Sequence, residues 1–313
     1  MFILDSHCDT PSQIYRLSLD MSCENEGTHV DFPKLKRGEV DGAFFALYIP
    51  ASMDAEPEKG FEYALKMLEA TRRSVEENSH LAAFAGSREQ AYKNKAEGRF
   101  SVFLGLENGS PIGESLNNLK YFYDNGIRYI TLCHSGNNQI CDSCATSVKR
   151  WGGLSPFGRE VVAEMNRLGL LIDVSHVSDD TFYDVLKYSV KPVVATHSCC
   201  RALCDHPRNM TDDMIRALAQ AGGVIQINFY PIFLDSSESA SVARIADHID
   251  HAVNLAGIDH VGIGSDYDGI EVTPEGMEDI SMMPKLFDEL RERGYSESDL
   301  FKIAGENFFR ILG

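Results

Sequence analysis

At 313 residues, with 43% apolar and 24% charged side chains, the chain has the composition of a soluble globular protein long enough to bury a large core. Its formal charge of −18 repels nucleic acid and anionic membrane surfaces, and disfavours polyanionic substrates unless arginines gather locally. No run approaches the roughly 20 apolar residues of a membrane span. Met1 leads straight into an apolar run with no basic or apolar leader, so a cytoplasmic protein with mostly reduced cysteines is expected.

Eight runs read as strands: residues 2–7, 42–49, 101–107, 128–133, 170–175, 193–196, 223–228 and 260–265. Most are continuously apolar, as in parallel strands covered on both faces. Helical patterns lie between several of them. Phe61, Ala64, Leu65 and Leu68 share one face, as do Val161, Val162, Met165 and Leu168 of a helix closed by Gly169. Ile245, Ile249, Ala252, Val253 and Ala256 form a third stripe, closed by Gly257. Residues 135–158 hold Trp151, the only tryptophan, and show little periodicity. A segment of that length without regular structure is expected to serve as a lid or a subunit contact.

Strands alternating with helices, and no Pro/Gly/Ser linker, predict one (β/α)8 TIM-type barrel domain over residues 1–313. The competing architecture is an open doubly wound sheet. The chemistry-bearing residues argue against it, because they stand at the C-terminal ends of strands spread along the whole chain. A closed barrel gathers such ends, whereas an open sheet holds its edges far apart.

His7 and Asp9 end the first strand two positions apart and so point the same way. Glu107, His176 and His197 each end or follow an apolar run. Imidazole and carboxylate together suit Zn²⁺ and its neighbours. A carboxylate has two oxygens, so Glu107 can bridge. The five side chains then make two three-ligand sites, each open to solvent, as a catalytic rather than a structural zinc requires.

His134, at the end of the fourth strand, is either a sixth ligand or a hydrogen-bond donor to a developing oxyanion. Asp266, at the end of the eighth, is placed to carry a proton from water to a leaving group. Asp268 reads as a turn residue. Arg208, in the loop after the sixth strand, is either a surface arginine or a bidentate clamp for a substrate carboxylate. Cys141 and Cys144 form half a CxxC metal or redox motif with no second half, and Cys199, Cys200 and Cys204 cluster nearby in sequence. Cys8 and Cys133 adjoin site residues and should face away from them.

These residues resemble the membrane (renal) dipeptidases of the amidohydrolase superfamily. The resemblance runs through Asp5-Ser6-His7-Cys8-Asp9, Gly105-Leu106-Glu107-Asn108, Ile172-Asp173-Val174-Ser175-His176 and Ala195-Thr196-His197-Ser198. It continues through Pro207-Arg208-Asn209, Gly264-Ser265-Asp266-Tyr267-Asp268-Gly269 and the closing Gly305-Glu306-Asn307-Phe308-Phe309. It implies two Zn²⁺, one held by His7, Asp9 and Glu107, the other by Glu107, His176 and His197. His134 becomes the substrate-binding, oxyanion-stabilising histidine, Arg208 the clamp on the dipeptide C-terminal carboxylate, and Asp266 the proton shuttle. A homodimer is implied as well. Ser12, Cys133 and Ser265 depart from the residues the animal enzymes carry there, which leaves side-chain specificity open.

The activity expected is hydrolysis of dipeptides with a free C-terminal carboxylate, with acceptance of D-residues there left open. The alternative is a barrel hydrolase of another amide, ester or lactone, such as an N-acyl amino acid. A third reading, a cysteine-based metal or redox protein, rests on the Cys141/Cys144 and Cys199–Cys204 groups alone.

Overall fold

A computed structural model describes residues 1–312. The strands are β1 (Leu4–Cys8), β2 (Gly42–Tyr48), β3 (Ala82–Phe84), β4 (Phe100–Glu107), β5 (Ile127–Thr131), β6 (Leu171–Asp173), β7 (Val194–Ser198), β8 (Val224–Ile227) and β9 (Val261–Ile263). Eight of them pair in the parallel order β1-β2-β4-β5-β6-β7-β8-β9. The seam between β9 and β1 is sewn by the residues just past β9. Asp266 N donates to His7 O (3.0 Å) and Asp9 N donates to Tyr267 O (2.9 Å). The result is the predicted (β/α)8 TIM-type barrel, and its closure seam runs through the candidate site.

All eight expected strands are present, with ends shifted by a few residues. The ninth, β3, pairs only with the first half of β4, below the point where β5 joins. Helices cover the outside. The three striped patterns are the helices Pro57–Glu77, Pro156–Leu168 and Val242–Ala256. Ser155, Ser178 and Thr211 cap their helices by accepting the backbone N–H three residues on. Gly169 closes its helix in the left-handed conformation (φ 77, ψ 25). Gly257 also has positive φ, but its extended ψ of 159 turns the chain away without that left-handed cap.

Two apolar clusters hold the molecule together. The larger packs the outer sheet face against the helices. The smaller joins Phe2, Leu4, Phe44, Phe103, Tyr129, Leu171 and Val194 to Phe308 and Phe309 of the last helix. Since these side chains come from six different strands, this cluster fills the barrel beneath the site. Phe44 stacks on Phe103 (4.8 Å between centroids) and tilts against Phe308 (5.0 Å), giving a stiff aromatic floor.

Residues 135–155 have no helix or extended strand, yet they are internally bonded. The buried Asp142 carboxylate accepts the backbone N–H groups of Arg150 (3.0 Å), Trp151 (3.0 Å) and Gly152 (2.7 Å). Trp151 Nε1 donates to Asn138 O (2.9 Å). An anion enclosed by amides replaces the ladder bonds this stretch lacks.

Candidate active site

The chain places every candidate ligand at one end of the barrel. His7 lies on β1 and Asp9 just beyond it, Glu107 ends β4, and His197 lies within β7. His134, His176 and Asp266 each stand three residues past the strand before them. Four residues here have positive φ without being glycine: Asn108 (77), His176 (69), Asp266 (67) and Asp268 (67). Such conformations cost on the order of 1–3 kcal/mol each. Local bonds hold one of them: Asn108 Nδ2 donates to Ile49 O (3.1 Å) and to Asp54 Oδ1 (2.7 Å).

Glu107 is the hub. Its Oε1 lies 2.9 Å from His176 Nε2 and 3.4 Å from His197 Nε2, and its Oε2 lies 3.6 Å from His7 Nε2. His7 Nε2 is also 3.5 Å from Asp9 Oδ2 and 3.8 Å from Asp266 Oδ1. His176 Nε2 and His197 Nε2 face each other at 2.9 Å. Three ligand groups overlap here: His7, Glu107, His197; Glu107, His134, His176; and His7, Asp9, Asp266. The five candidate ligands are thus brought together, with His134 and Asp266 beside them.

The donor set fits a divalent cation. His7 Nε2 and Asp9 Oδ1 are buried and have no hydrogen-bond partner, although a buried polar atom left alone is costly. Burial disfavours the charged form of His7, but Glu107 and Asp9 outweigh it and hold the ring well above the ordinary histidine range. Burial, and then the Glu107 charge, push the Asp9 carboxyl well up. Burial also works against the charged form of Glu107, yet His7, His176 and His197 bring its carboxyl well below the usual range. His176 and His197 are both lowered, chiefly by burial. Burial thus favours the neutral imidazole at His176 and His197, the form a metal needs as a ligand.

The surrounding residues orient this set. Tyr129 OH lies 2.8 Å from His7 Nδ1, and Thr196 Oγ1 2.8 Å from His197 Nδ1. Asn228 Nδ2 donates to Asp266 Oδ2 (2.8 Å). The His134 ring meets Tyr48 edge-on at 4.9 Å, and its Nδ1 lies 2.7 Å from Ser135 Oγ. Tyr48, Tyr129, Asp173, Thr196 and Asn228 escape the sequence reading. For Asp173 a signal existed, since a carboxylate inside an otherwise apolar strand requires partners.

Arg208 is buried and stacks over Phe233 (5.3 Å). It donates to His197 O (2.9 Å) and Ser198 Oγ (3.4 Å), while its buried Nε has no partner. Among the described residues no carboxylate pairs with it within 4.0 Å, so the bland reading of a surface arginine does not apply. Asp268 does sit in a turn (φ 67), but its carboxylate is buried too and takes Thr10 Oγ1 (2.7 Å) and His29 N (2.6 Å). Burial raises it to about 6. The eight cysteines are all free, and none joins a candidate metal group among the described residues. Cys8 Sγ donates to Phe44 O (3.3 Å), while Cys133 Sγ lies against two backbone carbonyls, Asp142 O (3.9 Å) and that of the candidate ligand His176 (3.7 Å).

The model of the membrane dipeptidase family, peptidase family M19, matches residues 1–313. The chain belongs to that family. As a membrane dipeptidase family member it is a metallopeptidase that hydrolyses dipeptides. It is 36% identical over 311 residues to Dipeptidase aclJ of Aspergillus oryzae, spanning 96% of this chain and 73% of that protein. Its fold superposes on the probable dipeptidase PvdM from Pseudomonas aeruginosa with a TM-score of 0.93, at 25% identity, over 100% of this chain and 95% of that one. It is also similar to a metallopeptidase from Rhodobacter sphaeroides liganded with a phosphinate mimic of the dipeptide L-Ala-D-Ala. There the TM-score is 0.89 and the identity 26%, over 100% and 98% of the two chains. No helix among the described residues is long and apolar enough to cross a membrane.

Proposed function

We propose that this dipeptidase is a single-domain, two-zinc enzyme that cleaves dipeptides carrying a free C-terminal carboxylate. One ion is held by His7, Asp9 and Glu107, the other by Glu107, His176 and His197. The observation that carries this reading is the pair of buried, unbonded ligand atoms, His7 Nε2 and Asp9 Oδ1, beside a carboxylate shared among three histidines.

A pair of divalent ions held by these five residues would supply an acidified water molecule and a Lewis acid for the scissile carbonyl. The rest falls to the protein. Arg208, buried with no carboxylate of its own, binds the substrate carboxylate and so sets where the peptide bond lies. With Ser135 Oγ–H donating to Nδ1, His134 presents Nε2–H to the oxygen that gains charge at the tetrahedral stage. Asp266, oriented by Asn228, takes the proton of the attacking water and delivers it to the departing amine. The phosphinate ligand of the Rhodobacter relative supports acceptance of a D-residue at the C-terminal position. We also propose that the protein works as a homodimer in the cytoplasm.

The test is a zinc-loaded assay on a panel of L,L- and L,D-dipeptides, their C-terminal amides, and N-acyl amino acids. Hydrolysis confined to dipeptides with free carboxylates is expected. Turnover of amides at the same rate, or of N-acyl amino acids alone, would overturn the assignment.

A further inference from the structure

We infer that Asp173, acting through the hydroxyl of Thr196, fixes the tautomer of His197 and presents Nε2 as a bare lone pair to the metal centre. The inference rests on the proposed reading of His197 as a metal ligand. It concerns what prepares that ligand rather than the ligand itself.

The argument is an account of protons. The Asp173 carboxylate takes four hydrogen bonds: Ser175 N (3.0 Å) and Thr196 N (2.9 Å) on Oδ1, Thr131 Oγ1 (2.5 Å) and Thr196 Oγ1 (2.7 Å) on Oδ2. The amides can only donate, and an ionised carboxylate can only accept. Each threonine hydroxyl has one proton, and here Asp173 receives it. Ser175 Oγ, the other neighbour of Thr196 Oγ1, is farther at 3.5 Å and is itself occupied as the acceptor of His197 N (3.1 Å).

Thr196 Oγ1 therefore has only a lone pair to offer His197 Nδ1 at 2.8 Å, and the proton of that contact sits on Nδ1. The remaining nitrogen, Nε2, is the unprotonated one. It is the atom 3.4 Å from Glu107 Oε1 and 2.9 Å from His176 Nε2. Asp173, Thr196 and His197 are all fully buried, so no solvent competes for these protons. Metal-bound histidines commonly pass their second N–H to a carboxylate directly. Here a hydroxyl is interposed, and it bridges β6 and β7. Thr196 and Asp173 are positioning residues.

The test compares zinc affinity, by chelator competition starting from the zinc-loaded protein, for the parent, Thr196→Val and Thr196→Ser. Valine keeps the shape and removes the acceptor; serine keeps the acceptor. Roughly 10- to 100-fold weaker binding of one of the two ions is expected for valine, with serine close to the parent. Equal affinity in the parent and the valine variant would overturn the relay while leaving the metal centre standing. A parent that binds no zinc would remove both. Should the valine variant not fold, nitrogen-15 NMR of the histidine-labelled parent stripped of zinc decides: a proton on His197 Nδ1 supports the relay, and a bare Nδ1 ends it.

Discussion

Gly105 lies against the phenol of Tyr129 so closely that a Cβ there would stand 2.6 Å from Cε2 and 2.7 Å from the hydroxyl oxygen. The same hydroxyl meets His7 Nδ1 at 2.8 Å. The missing side chain on β4 thus gives Tyr129 on β5 the room to reach a candidate ligand on β1. Gly105→Ala should displace the ring, lower stability by about 1–3 kcal/mol as overpacking does, and weaken zinc binding at the His7 side. Denaturant unfolding and zinc titration check this. An alanine variant with parental values on both would show that the close fit has no consequence.

Asp266 is held by Asn228 on one oxygen, while the other faces His7. Asp266→Asn keeps the shape and removes the base. Turnover should fall by about 10²- to 10⁴-fold with both zinc ions retained. Single-turnover assays alongside metal analysis separate the two effects, and undiminished turnover would take Asp266 out of the reaction.

Arg208 is a buried cation with a free Nε. A charge-assisted bond to a substrate carboxylate contributes roughly 1.5–3 kcal/mol. Arg208→Ala should therefore lower kcat/KM for a dipeptide by roughly 10- to 150-fold, mostly through KM. The C-terminal amide of the same dipeptide should be handled alike by parent and variant. An equal loss on both substrates would contradict the clamp.

His248 is buried in the helix Val242–Ala256. It accepts Cys200 N on Nδ1 (3.0 Å) and donates from Nε2 to Leu234 O (2.8 Å). Burial brings it down to about 4. The folded protein thus resists a proton that the unfolded chain takes near 6.5. The stabilisation is fully present above 6.5 and is lost as pH falls through 4, by on the order of 3 kcal/mol. The stability gap between the parent and His248→Gln should shrink across that window. A gap that stays constant from pH 7 to 4 would refute it.

The barrel was legible because parallel strands buried on both faces are written as apolar runs, and their count and spacing survive errors at the ends. β3 was not, because Ala82-Ala83-Phe84 is too short for any period and pairs along one edge only. The candidate ligands stood out because polar residues that end apolar strands are conspicuous. Tyr129, Thr196 and Asn228 did not, since an aromatic or polar residue within a strand looks the same whether it points to the metal centre or to a neighbour. Asp268 looked like a turn residue and is one. Its second role, bonding Thr10 and His29 across the seam, depends on contacts more than 200 positions distant in sequence.

The most direct measurement is anomalous X-ray diffraction at the zinc edge from zinc-loaded crystals. Two peaks about 3.5–4 Å apart are predicted, one at each oxygen of Glu107, the first also touching His7 and Asp9 and the second His176 and His197. A lone peak, peaks at the cysteines, or no density among these five side chains would contradict the account.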